Sequence, residues 1–242
     1  TNRGNYYSIA SQIPDTDFEF FASAGFLDYK DKKGDKDPID QVIESKGYTV
    51  CYGLEEFRKE AAGKEKVIFC QESNRQEDAE NYVSDAKTSE DITLAQMVQL
   101  GIESLGDDEP FFIMCEGGTI DWAAHDNRTM SMITDVIDFD AAVKVAYEFY
   151  LQHKDETLIV VTADHETGGI ALGANGGGSV IDWARLEAAE AETRELNAKC
   201  SIGWTTGGHT GAPVPTYAIG KGAEKFCGRY DNTDIKGKIL GE

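Results

Sequence analysis

Three short strings hold most of the side chains able to do chemistry. Glu116 to His125 reads EGGTIDWAAH, with Asp121 and His125 four residues apart. On a helix they share one face, which suits two ligands of one cation and equally suits a surface ion pair. In LIVVTADHETGG an apolar strand delivers Asp164 and His165 to its end, where both reach a cation if the chain bends, or where Asp164 caps a turn. In WTTGGHTGAPVPTYA, His209 sits in a Gly- and Thr-rich turn just before a strand. The remaining histidine, His153, ends a long amphipathic helix, where its charge favours the helix C-terminus. Acids and imidazoles without thiolates suit zinc, manganese or iron in a catalytic site. Several acidic ligands also suit more than one cation, and paired ions commonly serve in-line displacement at phosphorus. The residues therefore point to a metal-dependent hydrolase with two or more ions.

The elements that position these strings alternate. Phe18–Ser23, Tyr48–Tyr52, Lys66–Cys70, Phe111–Cys115, Leu158–Thr162 and Val214–Ile219 read as strands, mostly as continuous apolar runs. Such runs belong to a parallel sheet covered on both faces. Pro38–Ser45, Leu54–Ala62 and Ile92–Leu105 read as helices, the last behind a capping-type stretch at Thr88 to Asp91. Thr129–His153 has Ile133, Val136, Ile137, Val143, Ala146 and Tyr150 at helical spacing, predicting a long helix with one buried stripe. Glu116 would then close a buried strand, and Gly117-Gly118 would let the chain turn sharply after it. Asp28–Asp37 and Gln71–Asp91 read as solvated loops. Residues 173–199 read as an insertion, with a GANGGGS run opening an Ala- and Glu-rich helix capped at Ser179.

Composition narrows the classes further. The 242 residues carry 44 acidic against 23 basic side chains, a net charge of −21, and no basic stretch. A nucleic-acid partner is not expected. The hydrophobic share of 40% supports a packed core. No apolar run approaches the ~20 residues of a membrane span. Five cysteines without C-x-x-C spacing argue against a disulfide scaffold and a thiolate zinc site.

The spacing of E-G-G-x-I-D-x-x-x-H, then T-A-D-H-E-T-G-G, then H-T-G, resembles the metal-binding part of the alkaline phosphatase family. The ITLAQM helix and the tail from VPTYAIGKGAEKF are also similar. The resemblance implies an α/β fold, an alkaline-phosphatase-like three-layer sandwich about a mainly parallel sheet, incomplete in this chain. Residues 1–242 would form the C-terminal portion of a single catalytic domain. It also implies that Asp121, His125 and His209 bind a first zinc, Asp164 and His165 a second, and Glu116 a magnesium. Arg3, just before a helix, would grip two phosphate oxygens. Trp122 stands where other members have Lys or His near the third ion. The family's nucleophile is a serine in Asp-Ser-Ala, which does not occur here; Ser84-Asp85-Ala86 has another order and reads as surface.

The implied activity is hydrolysis of small phosphate monoesters through a phosphoserine, using two Zn2+ and one Mg2+ in the parent enzyme. The 242 residues alone are expected to bind ions only in part and not to turn over. A homodimer and a periplasmic or extracellular location are implied by the resemblance alone. Two other readings compete: a phosphodiesterase, sulfatase or phosphomutase of the same superfamily, and a non-catalytic acidic module that binds cations.

Overall fold

The computed structural model describes residues 2–79, 88–106, 108–173, 181–189 and 193–241. The chain forms two compact units, Thr1–Cys115 and Glu116–Glu242. In the first, α1 (Tyr6–Ala10) precedes β1 (Phe20–Ser23), α2 (Ile39–Glu44), β2 (Thr49–Tyr52), α3 (Gly53–Glu60), β3 (Val67–Cys70) and α4 (Leu94–Leu105). The strands form a parallel sheet in the order β1-β3-β2, with Val67 opposite both Phe20 and Thr49. Side chains alternate across its faces. Ile68, Cys70, Val50 and Tyr52 pack with Tyr7, Ile39 and Ile43 from α1 and α2, while Val67, Phe69 and Cys51 pack with Phe57 and Met97 from α3 and α4. Helices on both faces explain why VIFC is apolar throughout and wholly buried.

The two loops expected at the surface contribute anchors to this unit. Tyr29, within Asp28–Asp37, is buried and donates its hydroxyl to Asp40 at 2.9 Å, and Tyr52 donates to the same carboxylate at 3.2 Å. A buried carboxylate needs such donors to remain in the core. In the other loop, Gln71 donates to and accepts from the backbone of Ile92, and Asn74 is buried. Thr88–Asp91 does not start the helix. Thr93 caps α4 in a reciprocal box with Gln96, while the Asp91 carboxylate accepts from the amides of Ser73 and Thr88. Ser84-Asp85-Ala86 and Ser179 lie outside the described residues.

Phe111–Cys115 is not a strand. It runs extended with alternating side-chain exposure, but joins no ladder among the described residues, and Phe112 and Met114 are exposed. With Phe112 and Met114 facing solvent, the segment lacks the cover on both faces that a continuous apolar run implies.

The second unit begins with α5 (Gly118–His125) and α6 (Thr129–Gln152), followed by β4 (Leu158–Val161), β5 (Glu166–Thr167) and β6 (Ile170–Leu172). Then come α7 (Trp183–Glu187), α8 (Arg194–Lys199), β7 (Ile202–Trp204), β8 (His209–Thr210), β9 (Tyr217–Gly220) and α9 (Asp234–Leu240). The strands pair antiparallel as β4-β9, β5-β8 and β6-β7. Among the described residues of 173–199 there are two short helices, capped by Asp182 and Thr193. Leu186 from this segment is 1% exposed and packs with Ala124, Cys200, Ile202 and Trp204.

The stripe expected along α6 is displaced. Val136 and Ile137 are exposed, and the buried positions are Thr129, Ser131, Asp135 and Ala142. A polar chain fixes the rotation of the helix at its first turn: Trp204 donates its indole N–H to Thr129 Oγ1, Thr129 donates to Asn197 Oδ1 at 2.6 Å, and Asn197 donates to the Asn127 carbonyl. Satisfying these buried groups outweighs burying two more aliphatic side chains. At the other end His153 is the C-cap residue; its ring stacks on Phe149 and pairs with Glu156.

Candidate metal centre

The first and third strings meet on the second unit. α5 places Asp121 and His125 on one face, and β8 carries His209 to them. His125 Nε2 lies 3.2 Å from His209 Nε2 and 3.4 Å from Asp121 Oδ2, and His209 Nε2 lies 3.8 Å from Asp121 Oδ1. One donor atom from each residue falls within 4.8 Å of the others.

The hydrogen bonds fix what His125 presents. Its Nδ1 lies 2.7 Å from the Gly207 carbonyl, which can only accept, so Nδ1 carries the proton. In the neutral ring Nε2 is then a lone pair aimed at His209 and Asp121. Basic nitrogen atoms and a carboxylate oxygen in such proximity repel unless a proton or cation lies among them. Zinc bonds to imidazole nitrogen of ~2.0–2.1 Å at tetrahedral angles put ligand atoms roughly 3.3–3.4 Å apart. Two of the three separations, 3.2 and 3.4 Å, match that spacing and the third is wider at 3.8 Å; two imidazoles with one carboxylate leave the fourth position open, as catalytic zinc needs.

The second string lies against this group. The His165 ring stacks on that of His209, centroids 3.5 Å apart, and His165 Nε2 approaches Asp164 Oδ2 at 3.3 Å. Asp164 is largely exposed, and its carbonyl accepts from Asn232. These two donors do not close a cation site by themselves.

Glu116 stands exposed just before α5, at the end of the unladdered segment rather than of a buried strand. It is outside the three-residue group. Trp122, on α5, is partly exposed. Arg3 is an exposed residue of the first unit, shortly before α1.

Several residues that position the site escaped the sequence reading. β5 and β8 form a two-residue ladder, Glu166 opposite Thr210 and Thr167 opposite His209. Glu166 clamps it, accepting from the Gly169 amide at 2.9 Å and from the Thr210 hydroxyl. Thr167 donates to Asp121 Oδ1 at 2.6 Å and sits 3.1 Å from His165 Nδ1. Gly168 has φ +87°, and a side chain there would strike the Trp204 ring and the Ala124 carbonyl. Asn127, itself left-handed at φ 55°, donates to the carbonyls of Ala124 and Thr206 and so ties the end of α5 to the loop before His209. The signal available was the run of polar and glycine residues directly after Asp164-His165.

A sequence profile of the alkaline phosphatase family matches residues 76–194 and 174–240. Alkaline phosphatase 3 of Bacillus subtilis is 33% identical over 207 residues, covering 64% of this chain and 45% of that protein. The alkaline phosphatase of the Antarctic bacterium TAB5 aligns over 99% of this chain and 64% of its own, with a TM-score of 0.77 and 30% identity. A variant of the TAB5 enzyme with magnesium bound in its M3 site superposes equally well, at 31% identity. The chain belongs to the alkaline phosphatase family. It spans about half the length of the curated relatives it matches. The solved neighbours support the α/β fold, with its parallel sheet and partial further sheets.

Proposed function

We propose that this chain supplies the metal-binding part of a phosphomonoester hydrolase, an alkaline phosphatase acting through a phosphoserine. The observation that carries the reading is the convergence of Asp121, His125 and His209 inside the stretch that matches the family. These three would hold one zinc, Asp164 and His165 part of a second site, and Glu116 part of a magnesium site. Bound there, the ions would supply Lewis acidity and lower the pKa of a coordinated oxygen toward neutrality.

The chain's own residues have separate tasks. The Gly207 carbonyl holds His125 in the tautomer that leaves Nε2 basic, and Glu166 keeps β8, and hence His209, in register. Arg3 would grip non-bridging phosphate oxygens in a bidentate contact, for which a guanidinium is suited. The net charge of −21 does not forbid an anionic substrate, because cations set the local potential. No Asp-Ser-Ala occurs in these 242 residues. The chain by itself is therefore proposed not to turn over, and the activity belongs to a protein that also carries the nucleophile. Residues 1–242 would be the C-terminal portion of one catalytic domain, with an insertion at 173–199. A dimer exported to the periplasm or beyond the cell completes the proposal, and among the described residues no helix is long and apolar enough to cross a membrane.

Zinc stoichiometry tests the reading. After equilibrium dialysis, His125→Ala and His209→Ala should each hold at least one ion fewer than the unsubstituted chain. Unchanged stoichiometry in both would favour the acidic cation-binding module and overturn the assignment. Hydrolysis of an aryl phosphate by the purified chain at enzymatic rates would overturn the proposed inactivity.

A further inference from the structure

Thr167 offers no ligand atom to the three-residue group, yet it meets Asp121, His209 and His165 at once. Its backbone pairs with His209 across the β5-β8 ladder. Its hydroxyl lies 2.6 Å from Asp121 Oδ1 and 3.1 Å from His165 Nδ1. A hydroxyl has one proton, and an ionised carboxylate only accepts, so the proton points to Asp121. The Thr167 oxygen must then accept from His165 Nδ1. That nitrogen carries hydrogen, and the lone pair of the neutral ring is left on Nε2, which faces Asp164 Oδ2 at 3.3 Å.

We propose that Thr167 is a positioning residue whose hydroxyl sets the tautomer of His165 and the orientation of Asp121, joining the two ligand groups into one hydrogen-bonded chain. The proposal rests on the metal-binding reading above. No other hydrogen-bond partner is seen for His165 Nδ1 among the described residues, so removal of the hydroxyl frees that ring to invert its tautomer and turn its basic nitrogen away. Valine at this position keeps the shape and removes the hydroxyl. Partners of this kind affect metal affinity by about 10–100-fold.

The test is zinc binding by the 242-residue chain, measured by competition with a chromophoric chelator, together with nitrogen-15 spectra of the imidazoles. Thr167→Val should weaken zinc by about 10–100-fold and remove the Nδ1–H signature of His165. Thr167→Ser, which restores the hydroxyl, should recover both. Thr167→Ala, which adds no bulk, should behave as the valine does, so the effect is readable even if the valine lowers stability. Wild-type affinity in both the valine and alanine variants, or no recovery with serine, overturns the proposal. His125→Ala separates the two failures. If it keeps its full zinc, the reading of the site has failed; if it loses an ion while Thr167→Val binds as wild type does, only the role of Thr167 has failed.

Discussion

Asp121, His125 and His209 could be chosen from the sequence because ligand chemistry needs particular atoms, and few residue types carry them. The groups that aim those atoms were not legible in the same way. Nothing in the letters E-T of HETGG distinguishes a hydroxyl that bridges two ligands from one that faces water, since the distinction arises only when β5 lies beside β8. Gly168 is the most demanding of these positions, combining a left-handed backbone with close approach to Trp204. Gly168→Ala should lower stability by roughly 2–4 kcal/mol, seen as a drop in the denaturant midpoint. It should also weaken zinc binding, because β5 cannot keep its place beside Asp121 once the turn opens. A midpoint within error of wild type would show that the turn tolerates a side chain.

At the scale of elements, the sheet of the first unit was the most readable part. Phe20–Ser23, Thr49–Tyr52 and Val67–Cys70 lie inside the expected strands because their hydrophobic runs have a covering layer on each side. The second unit was harder. LIVV pairs antiparallel with β9, against the parallel sheet its continuous apolar run implied; its residues are only half-buried, so the run does not mark a strand covered on both faces. The rotation of α6 depends on Thr129, whose partners Asn197 and Trp204 lie far along the chain.

The approach to α4 also gives a pH prediction. Burial opposes the charge on Asp91, but donation from Ser73 and Thr88 outweighs it and holds the carboxyl below its usual range. A depressed folded pKa stabilises above the unfolded pKa of ~3.9 and loses that contribution as pH falls through the lower folded value. Wild type should therefore exceed Asp91→Asn by about 1 kcal/mol at pH 7, with the two urea midpoints converging once the pH has fallen below the lowered folded value. A difference independent of pH would assign the effect to packing.

For the molecule as a whole, the cysteines report on integrity. No disulfide joins the described thiols. Burial, with Glu56 and Glu60 nearby, pushes Cys51 up to about 11; burial, with Asp40 nearby, pushes Cys70 up to about 12. At pH 8 roughly one in a thousand Cys51 thiols, or fewer, is a thiolate, so both should resist alkylation until the first unit unfolds. Cys227, exposed on the second unit, should be modified first. Peptide mapping after brief iodoacetamide treatment checks this, and early labelling of Cys70 would show that the first unit opens readily.

A backbone pairing of two rungs cannot hold its own alignment. Here that alignment is imposed from outside, by the Glu166 clamp, the Gly168 seat under Trp204 and the Asn127 tie. A change at Leu186 or Asn197 should therefore be felt at His209, since the first packs with Trp204 and the second bonds to Asn127.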